Sequence, residues 1–419
     1  MKVAALKLSL HGQTVGYVAG YRDGLRNVLS LDPAFIENPG RPTLTLSFAP
    51  QADFKRAASI FPTSSRQQLH PLLSNLLPEG ALREILAQRL KIHPMNEFPL
   101  LAHLGADLPG ALVVQPVTAH DIPDYAFGDW GKLDRIAVDV EPGKTHFSLA
   151  GVQMKFSMHQ KDGRYILSEA ADAPGDWIIK TPSTTHEHVP VNEFTSMQLA
   201  GAIGVDIPEI RLVELSKLDR LPEIKLPDEP FAYGIRRFDR TEQGRVHTED
   251  FAQVTFTYAA QKYDKHSYED IGRLLYRYAY AGQKDAVQMA IRLLANILLA
   301  NGDAHKKNWS LIYPDGINAH LAPAYDIVST KMYMRDELDF ALSLGGTKQW
   351  YAVTFEHFER WAKKADISYS PVKYNLGLAM KRARELWPRM LAESPMRETH
   401  KEALRQHWRA LQPDFRIAS

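Results

Sequence analysis

Predicted strands and predicted helices occupy different halves of this 419-residue chain. Up to about residue 240, apolar and polar residues mostly alternate, which predicts strands, with helical stretches at 66–104 and 192–204. From about residue 250 the apolar spacing is helical, above all at 285–300 and 354–410. This order excludes alternating β-α units. It predicts an α+β fold of two lobes, with a ligand site in the cleft between them.

The first lobe is expected to be rich in strands. Two of its predicted strands carry alternating apolar residues: Leu6, Leu8, Leu10 and Leu44, Leu46, Phe48. Residues 118–145 have little regular pattern and are acidic, which predicts a connector. We therefore expect three parts: a β-rich N-terminal subdomain at 1–117, the remainder of the N-lobe at 118–240, and an all-α C-terminal lobe at 241–419.

Composition removes several kinds of chemistry. The chain has no cysteine, which excludes disulfides, thiolate nucleophiles, cysteine-bound zinc and iron–sulfur clusters. Lys and Arg number 50 against 49 Asp and Glu, so the protein is not a polycation and is not expected to bind DNA tightly alone. The most apolar helical run is too short to cross a membrane. We expect a cytoplasmic protein.

One string, NGDAHKKN at 301–308, begins where the long apolar helix is predicted to end. Asp303 and Asn308 have the spacing of a protein-kinase catalytic loop. A carboxylate there can accept the proton of a substrate hydroxyl, and a neutral amide oxygen can hold Mg²⁺ without adding negative charge beside phosphates. The alternative is a helix end followed by a polar surface turn, for which Asn, Gly and Asp are all typical.

Three other residues fit a kinase in the same chain order. Lys180 ends an apolar strand, as does the lysine that contacts ATP phosphates, although a solvated lysine is the simpler alternative. Glu193 opens the next helix and is a candidate partner for Lys180, or else a residue that suits the helix dipole. Asp326 follows a predicted hairpin and is a candidate Mg²⁺ ligand or a helix cap.

The segment SLAGVQMK at 148–155 lies where a kinase covers the phosphates. It holds one glycine and matches neither of the glycine-rich phosphate-binding patterns, so a plain hairpin turn remains the alternative. The order of loop, lysine, glutamate, D-x-x-x-x-N and aspartate nevertheless predicts phosphoryl transfer by a two-lobed kinase-like fold.

At these residues the chain resembles the HipA-type serine/threonine kinase toxins of bacterial toxin–antitoxin pairs. The resemblance is carried by NLLPEGALRE (75–84), LLAHLGADLPGAL (100–112), FSLAGVQMKFSM (147–158), IIKTP (178–182), VNEFTSMQLAGAIGVDIPE (191–209), YGIRRFDR (233–240), HTEDFAQ (247–253), NGDAHKKNWSL (301–311) and APAYDIVS (322–329).

The resemblance implies roles for individual residues. Asp303 is implied to be the catalytic base, Asn308 and Asp326 to bind Mg²⁺, and Ser148 to be a self-phosphorylated serine. Residues 234–239 are implied to form the hinge that holds adenine, and Arg236 departs from the glutamate that the family often has there. The residues implied to bind ATP are Ala150, Gly151, Val152, Gln153, Met154, Lys155, Lys180, Arg236, Phe238, Asp239, His305, Lys306, Asn308 and Tyr325.

The resemblance also implies partners. They are a HipB-like helix-turn-helix antitoxin, operator DNA reached mainly through the antitoxin complex, and a protein substrate such as an aminoacyl-tRNA synthetase, notably glutamate–tRNA ligase. Phosphorylation of that substrate would inhibit translation and induce dormancy. Two other functions stay open: a non-catalytic nucleotide-binding co-repressor, and a metal-dependent nuclease that uses Asp303 and Asp326.

Overall fold

The computed structural model describes residues 2–21, 26–49, 63–118, 121–130, 138–139, 154–167, 175–221, 225–263 and 266–418. Five residues with predicted roles lie outside the described residues: Ser148, Ala150, Gly151, Val152 and Gln153. In the described parts of the chain, no helix has the length and apolar character needed to cross a membrane.

The N-terminal part is an antiparallel sheet with helices packed against it. Its five strands lie in the order β5-β4-β3-β2-β6. The strands are β1 (Lys2–Val3), β2 (Ala5–Leu10), β3 (Gln13–Tyr21), β4 (Arg26–Leu31), β5 (Thr63–Arg66) and β6 (Leu112–Val117), of which β1 lies outside this sheet. The helices are α1 (Pro33–Glu37), α2 (Pro71–Ser74), α3 (Gly80–Arg89) and α4 (Glu97–Leu104). The alternating leucines of β2 are fully buried, as predicted.

The strand predicted around Leu44 is wrong. Residues Leu46–Phe48 form a 3-10 turn, although their apolar side chains are buried as the pattern requires. The backbone of this segment bonds to the C-terminal region instead of to a sheet: Leu46 N donates to Glu249 Oε1 (2.7 Å) and Thr43 N to the Gly316 carbonyl (2.8 Å). Leu46 belongs to the core that continues into the C-terminal helices, whereas Leu44 and Phe48 belong to the N-terminal core, so successive apolar side chains alternate between two cores without a sheet.

The middle part holds a six-stranded sheet in the order β11-β13-β10-β8-β9-β12. Its strands are β8 (Lys155–Lys161), β9 (Arg164–Leu167), β10 (Trp177–Lys180), β11 (Ile210–Glu214), β12 (Leu218–Asp219) and β13 (Phe231–Arg236), and β7 (Val138–Asp139) pairs with β1. Helix α5 (Val189–Ala202) packs against β11 and β13. Strand β10 lies between β8 and β13, so its register fixes where Lys180 stands.

The C-terminal part is mainly helical. Its helices are α6 (Phe251–Val254), α7 (Tyr268–Tyr278), α8 (Gly282–Leu298), α9 (Phe355–Lys364), α10 (Tyr369–Glu393) and α11 (Glu398–Ala410). It also carries strands, which the all-α description leaves out: β14 (Arg240–Thr241), β15 (Gly244–Arg245), β16 (His247–Asp250), β17 (Ser310–Tyr313), β18 (His320–Leu321), β19 (Asp339–Leu344) and β20 (Thr347–Gln349). The predicted hairpin is β17–β18.

The α+β class, with a sheet-rich first part and a helical last part, is confirmed. One buried core continues from α5 and β13 into the C-terminal helices. Trp387 on α10 donates through Nε1 to the Leu199 carbonyl of α5 (2.9 Å), which fixes these two helices together. The strand that bears Lys180 and the loop after α8 are thereby held around one site. The domain bounds remain a prediction.

Candidate active site

Lys180 connects the middle part of the chain with the C-terminal part. Its Nζ atom lies 2.6 Å from Glu193 Oε1 on α5 and also forms an ion pair with Asp326, which follows β18. The Lys180 ammonium also lies 5.6 Å from the ring centroid of Tyr233, the residue opposite it on β13. The sequence predicted the Glu193 contact, and the structure brings both carboxylates to one ammonium.

Burial and charge act together on this group of three residues. Burial opposes the charge on Lys180, but Asp326 and Glu193 outweigh it and raise the pKa of Lys180. Burial alone would raise the pKa of Asp326, but the charges of Lys180 and Lys155 lower it to about 2. Burial raises the pKa of Glu193, the more enclosed carboxyl, to about 7, because Lys180 offsets burial only in part. Of the two carboxyl groups, Asp326 is therefore the stronger acid.

Asp326 has an unusual backbone. Its φ is +54°, in the left-handed region that residues other than glycine rarely adopt. Asn301 at the end of α8 donates from Nδ2 to the Asp326 carbonyl (3.4 Å) and to Asn296 Oδ1 (2.9 Å). This contact fixes Asp326 to the start of the string 301–308. Strained residues of this kind are concentrated at functional sites.

Asp303 has a partner that sequence reasoning missed. The Tyr263 hydroxyl donates to Asp303 Oδ1, and Asn301 Oδ1 accepts from the Asp303 amide (3.0 Å). About half of the Asp303 side chain is exposed (47%), so a substrate can reach it. No motif marks Tyr263, because it lies 40 residues from Asp303 in the chain. A carboxylate held by a phenol and open to solvent suits a general base.

Asn308 has one end of its amide fixed. Its Nδ2 atom donates to the Asp303 carbonyl (2.7 Å), so Oδ1 is the atom that can ligate a metal. Together with the ionised Asp326, it offers two hard oxygen ligands, and Mg²⁺ in kinase-like sites takes its remaining ligands from phosphates and water. The part of the chain that the structure describes holds no group of three or more His, Asp or Glu placed to bind a metal ion by themselves. The residues present fit Mg²⁺ bound together with phosphates.

Three other residues of the string 301–308 differ in their contacts. His305 is buried, lies 3.8 Å from Asp303, and has its pKa lowered by burial, so it is neutral at pH 7. Lys306 is fully buried, and its ammonium contacts Thr257 and His266. Lys307, which had no predicted role, bonds to Asn75 and Glu79 of the N-terminal part. The ATP contact of Lys306 stays a prediction.

The residues of the predicted hinge differ in their burial and in their contacts. Arg236, which departs from the family pattern, ends β13 with an exposed side chain. Its guanidinium forms an ion pair with the exposed Glu209 at 3.5 Å. The rings of Phe238 and Tyr325 pack 5.9 Å apart. The buried Asp239 carboxylate contacts Arg237 and Arg240, so its predicted contact with ATP is untested and its visible contacts are structural.

The described end of the predicted phosphate-covering loop leads into β8. The Met154 carbonyl accepts from Thr181 N (2.9 Å), and Lys155 lies opposite Lys180 in the β8–β10 register. Lys155 is exposed, and its charge lowers the pKa of both Asp326 and Glu193. Lys155 thus contributes positive charge near Asp326.

Comparison with known proteins identifies the family. Residues 6–115 match the HipA N-terminal domain, and residues 147–397 match the HipA-like C-terminal domain. A Sinorhizobium fredii protein named as a kinase, Y4dM, is 38% identical over 397 residues, which are 94% of either chain. The serine/threonine-protein kinase toxin HipA of Shewanella oneidensis is 26% identical over 67% of this chain and 68% of that protein.

The fold agrees with these matches. The solved structure of the Shewanella oneidensis toxin–antitoxin system HipA, HipB and its operator DNA complex superposes with a TM-score of 0.70. That superposition covers 96% of this chain and 94% of the other at 19% identity, so it shows a shared fold. Since the C-terminal family model spans more than half of the chain, and a relative of 38% identity spans nearly all of it, the chain belongs to the HipA family.

Proposed function

We propose that the protein is a serine/threonine protein kinase that transfers the γ-phosphoryl group of ATP to a protein hydroxyl. The observation that carries the proposal is the contact of Lys180 with both Glu193 and Asp326. A buried strand lysine, paired with a helix glutamate and set beside a metal-binding aspartate, is the arrangement that aligns ATP phosphates in protein kinases.

In the proposed reaction the substrate hydroxyl oxygen forms a bond to the γ-phosphorus, and the bond from that phosphorus to the β–γ bridging oxygen breaks. Asp303 accepts the hydroxyl proton, and ADP leaves. Tyr263 holds the Asp303 carboxylate through its hydroxyl, which fixes the carboxylate's direction. Lys180 contacts the phosphates and keeps them in line with the hydroxyl, so positioning and charge provide most of the rate gain.

Asn308 and Asp326 are the residues proposed to hold Mg²⁺. When bound, the ion would offset the negative charge of the phosphates. Asp326 is suited to this role because the charges of Lys180 and Lys155 keep it ionised against the effect of burial. The alternative is a metal-dependent nuclease that uses Asp303 and Asp326, and DNA degradation that survives Lys180→Ala would support it.

Membership in the HipA family supports a more specific role. We propose a toxin that pairs with a HipB-like antitoxin, contacts operator DNA mainly through that antitoxin, and phosphorylates an aminoacyl-tRNA synthetase such as glutamate–tRNA ligase. The support is the shared fold with the HipA–HipB–operator DNA complex and the similarity to a HipA toxin. Near-neutral net charge agrees with DNA binding through a partner.

Ser148 is the proposed site of self-phosphorylation. A phosphate there would add about two negative charges next to the loop proposed to cover ATP, and would repel the nucleotide. Ser148→Ala should therefore keep transfer to substrate and lose only the self-modification.

The test is incubation of the full chain with ATP and Mg²⁺, followed by mass spectrometry of the chain and of added synthetases. Phosphate is expected on Ser148 and on a synthetase serine, and Asp303→Asn should abolish both. ATP binding by the native protein without any transfer would overturn the kinase proposal in favour of a nucleotide-binding co-repressor. Tyr374→Ala, on the exposed face of α10, is the control variant that should retain activity.

A further inference from the structure

A cavity lies beside the β17–β18 hairpin, away from the candidate active site. It has a volume of about 340 Å³ and is bounded by α8, β18 and the turn after α5. None of the residues that line it has a role in the proposed phosphoryl transfer. Its volume is at the lower end of the range for small-molecule sites in proteins.

The cavity is lined by a buried guanidinium that lacks a full set of partners. Arg292 is 2% exposed, donates from Nη2 to the Ala322 carbonyl (2.6 Å), and lies 5.2 Å from the ring centroid of Trp309. Its Nε and Nη1 atoms have no hydrogen-bond partner among the described residues. Arginine keeps its charge at neutral pH, and a buried cation without a hydrogen-bonded anion is unfavourable. The Arg292 side of the cavity therefore suits a carboxylate or another small anion.

Two carboxylates, Asp285 and Asp206, line the same cavity. Asp285 is buried, and its Oδ2 atom has no hydrogen-bond partner within the described ranges, although His320 Nδ1 lies 3.9 Å away. Asp206 lines the cavity as well and is exposed. Two carboxylates disfavour a doubly charged anion such as phosphate, because they repel it at short range. They favour a ligand that also carries an ammonium group.

We propose that this cavity binds a small zwitterion of the free amino acid class. The carboxylate of the ligand is directed to Arg292, and its ammonium group to Asp285 and Asp206. The exposed Lys284 also lines the cavity, and its charge acts on Asp285. The bound ligand lies between the opposite charges of Arg292 and Asp285, and no covalent bond changes.

The site adjoins the chain segment that carries Asp326. Arg292 holds the Ala322 carbonyl, and the Ala324 amide donates to the Asp206 carbonyl (2.7 Å). Both ends of the cavity thus contact the residues just before Tyr325 and Asp326. The proposal concerns binding alone, and it stands whether or not the protein transfers phosphate.

The experiment is isothermal titration calorimetry of the full chain, without nucleotide, with each free L-amino acid at millimolar concentration. Acetate, methylamine and inorganic phosphate are titrated as ligands that carry only part of the proposed chemistry. At least one amino acid is expected to bind more tightly than all three. Asp285→Asn should weaken that binding roughly tenfold or more, since it removes a charged hydrogen-bond acceptor.

Two further variants keep the test decisive. Asp206→Asn alters an exposed side chain, so it should fold even where Asp285→Asn does not, and it should weaken binding in the same direction. Lys363→Ala, an exposed lysine on α9 outside the cavity, should change nothing. Absence of binding by every amino acid, tighter binding of phosphate, or equal binding by the native protein and the foldable aspartate variants would each overturn the proposal.

Discussion

The Nζ atom of Lys307 lies 2.9 Å from the Oε1 atom of Glu79, which joins the string between Asp303 and Asn308 to the N-terminal part of the chain. Lys307 also donates to the Asn75 carbonyl (2.8 Å). Glu79 lies 3.3 Å from the Nζ atom of Lys262, the residue before Tyr263. The N-terminal part therefore contacts both the string 301–308 and the residue next to Tyr263, which bonds to Asp303.

Glu79→Gln is expected to weaken this connection in a pH-dependent way. Burial alone would raise the pKa of Glu79, but the charges of Lys307 and Lys262 lower it from 4.5 to about 2. The native pair therefore stabilises the fold fully above pH 4.5, and this contribution is lost as the pH falls towards about 2. Because Glu79 is partly exposed, the loss of stability at pH 7 should be on the order of 1 kcal/mol.

Urea denaturation of both proteins at a series of pH values checks this expectation. The native protein should lose more stability than Glu79→Gln on acidification, so the two curves converge at low pH. A constant difference between the curves would show that the Lys307 contact does not depend on the Glu79 charge. Glu356→Gln is the control, because Glu356 forms an exposed ion pair with Arg360 on α9, and the change should have little effect on stability.

Tyr263→Phe tests the phenol that contacts Asp303. Burial first, and then the hydrogen bond to Asp303, raise the pKa of Tyr263, so the hydroxyl stays protonated and donates. Its removal should lower kcat about fivefold, because one hydrogen bond to a charged group is worth about 1 kcal/mol at a half-exposed site. KM for ATP should stay the same, since Tyr263 holds the base and not the phosphates.

Steady-state kinetics with a peptide or synthetase substrate measures both constants. An increase in KM for ATP at constant kcat would assign Tyr263 to nucleotide binding instead. Tyr278→Phe, whose exposed side chain is on α7, is the matched control and should retain full activity.

The sequence predicted those parts of the site whose residues lie close together in the chain. Strand β10 and helix α8 follow from apolar runs, and the pairing of Lys180 with Glu193 follows from a strand and a helix that are adjacent in the chain. The spacing of Asp303 and Asn308 is likewise local, and the Asn308 amide bonds directly to the Asp303 backbone.

Contacts between distant parts of the chain could not be predicted. Lys307 bonds to a residue 232 positions away, and Tyr263 to one 40 positions away. No single sequence reports which surfaces of two lobes meet. The same limit explains the wrong strand around Leu44, where Leu44 and Phe48 pack in the N-terminal core and Leu46 packs in the core of the C-terminal region, without a sheet. The Asp239 carboxylate likewise accepts from the Gly110 amide, 129 positions away in the chain.

Glu193→Gln should change how stability varies with pH. Burial first raises the pKa of Glu193 from 4.5 to about 7, with Lys180 opposing and Asp326 adding to the shift. A folded-state pKa above the unfolded value means that stability is full below pH 4.5 and is lost as the pH rises towards 7. The native protein should lose on the order of 1 to 3 kcal/mol across this range, and the variant should not.

Denaturant unfolding between those pH values measures the effect. If the native protein and Glu193→Gln lose stability in parallel, Glu193 does not titrate in this range. Glu229→Gln, a residue of the loop before β13 that bonds to the His188 amide, is a control outside the Lys180 contacts.

Asp239→Asn distinguishes a structural role from a contact with the ribose of ATP. The Asp239 carboxylate lies 2.8 Å from both Arg237 and Arg240 and accepts from Gly110 N (2.7 Å). Burial would raise the pKa of Asp239, but the two guanidinium groups lower it, so the variant removes the more buried of the two carboxylates that pair with these arginines. It should lose about 3 kcal/mol of stability in urea denaturation, and its preference for ATP over 2′,3′-dideoxy-ATP should equal that of the native protein. A selective loss of that preference would instead place Asp239 on the ribose. Asp107→Asn is the control, because Asp107 contacts the same arginines from a more exposed position, and this variant should lose less stability.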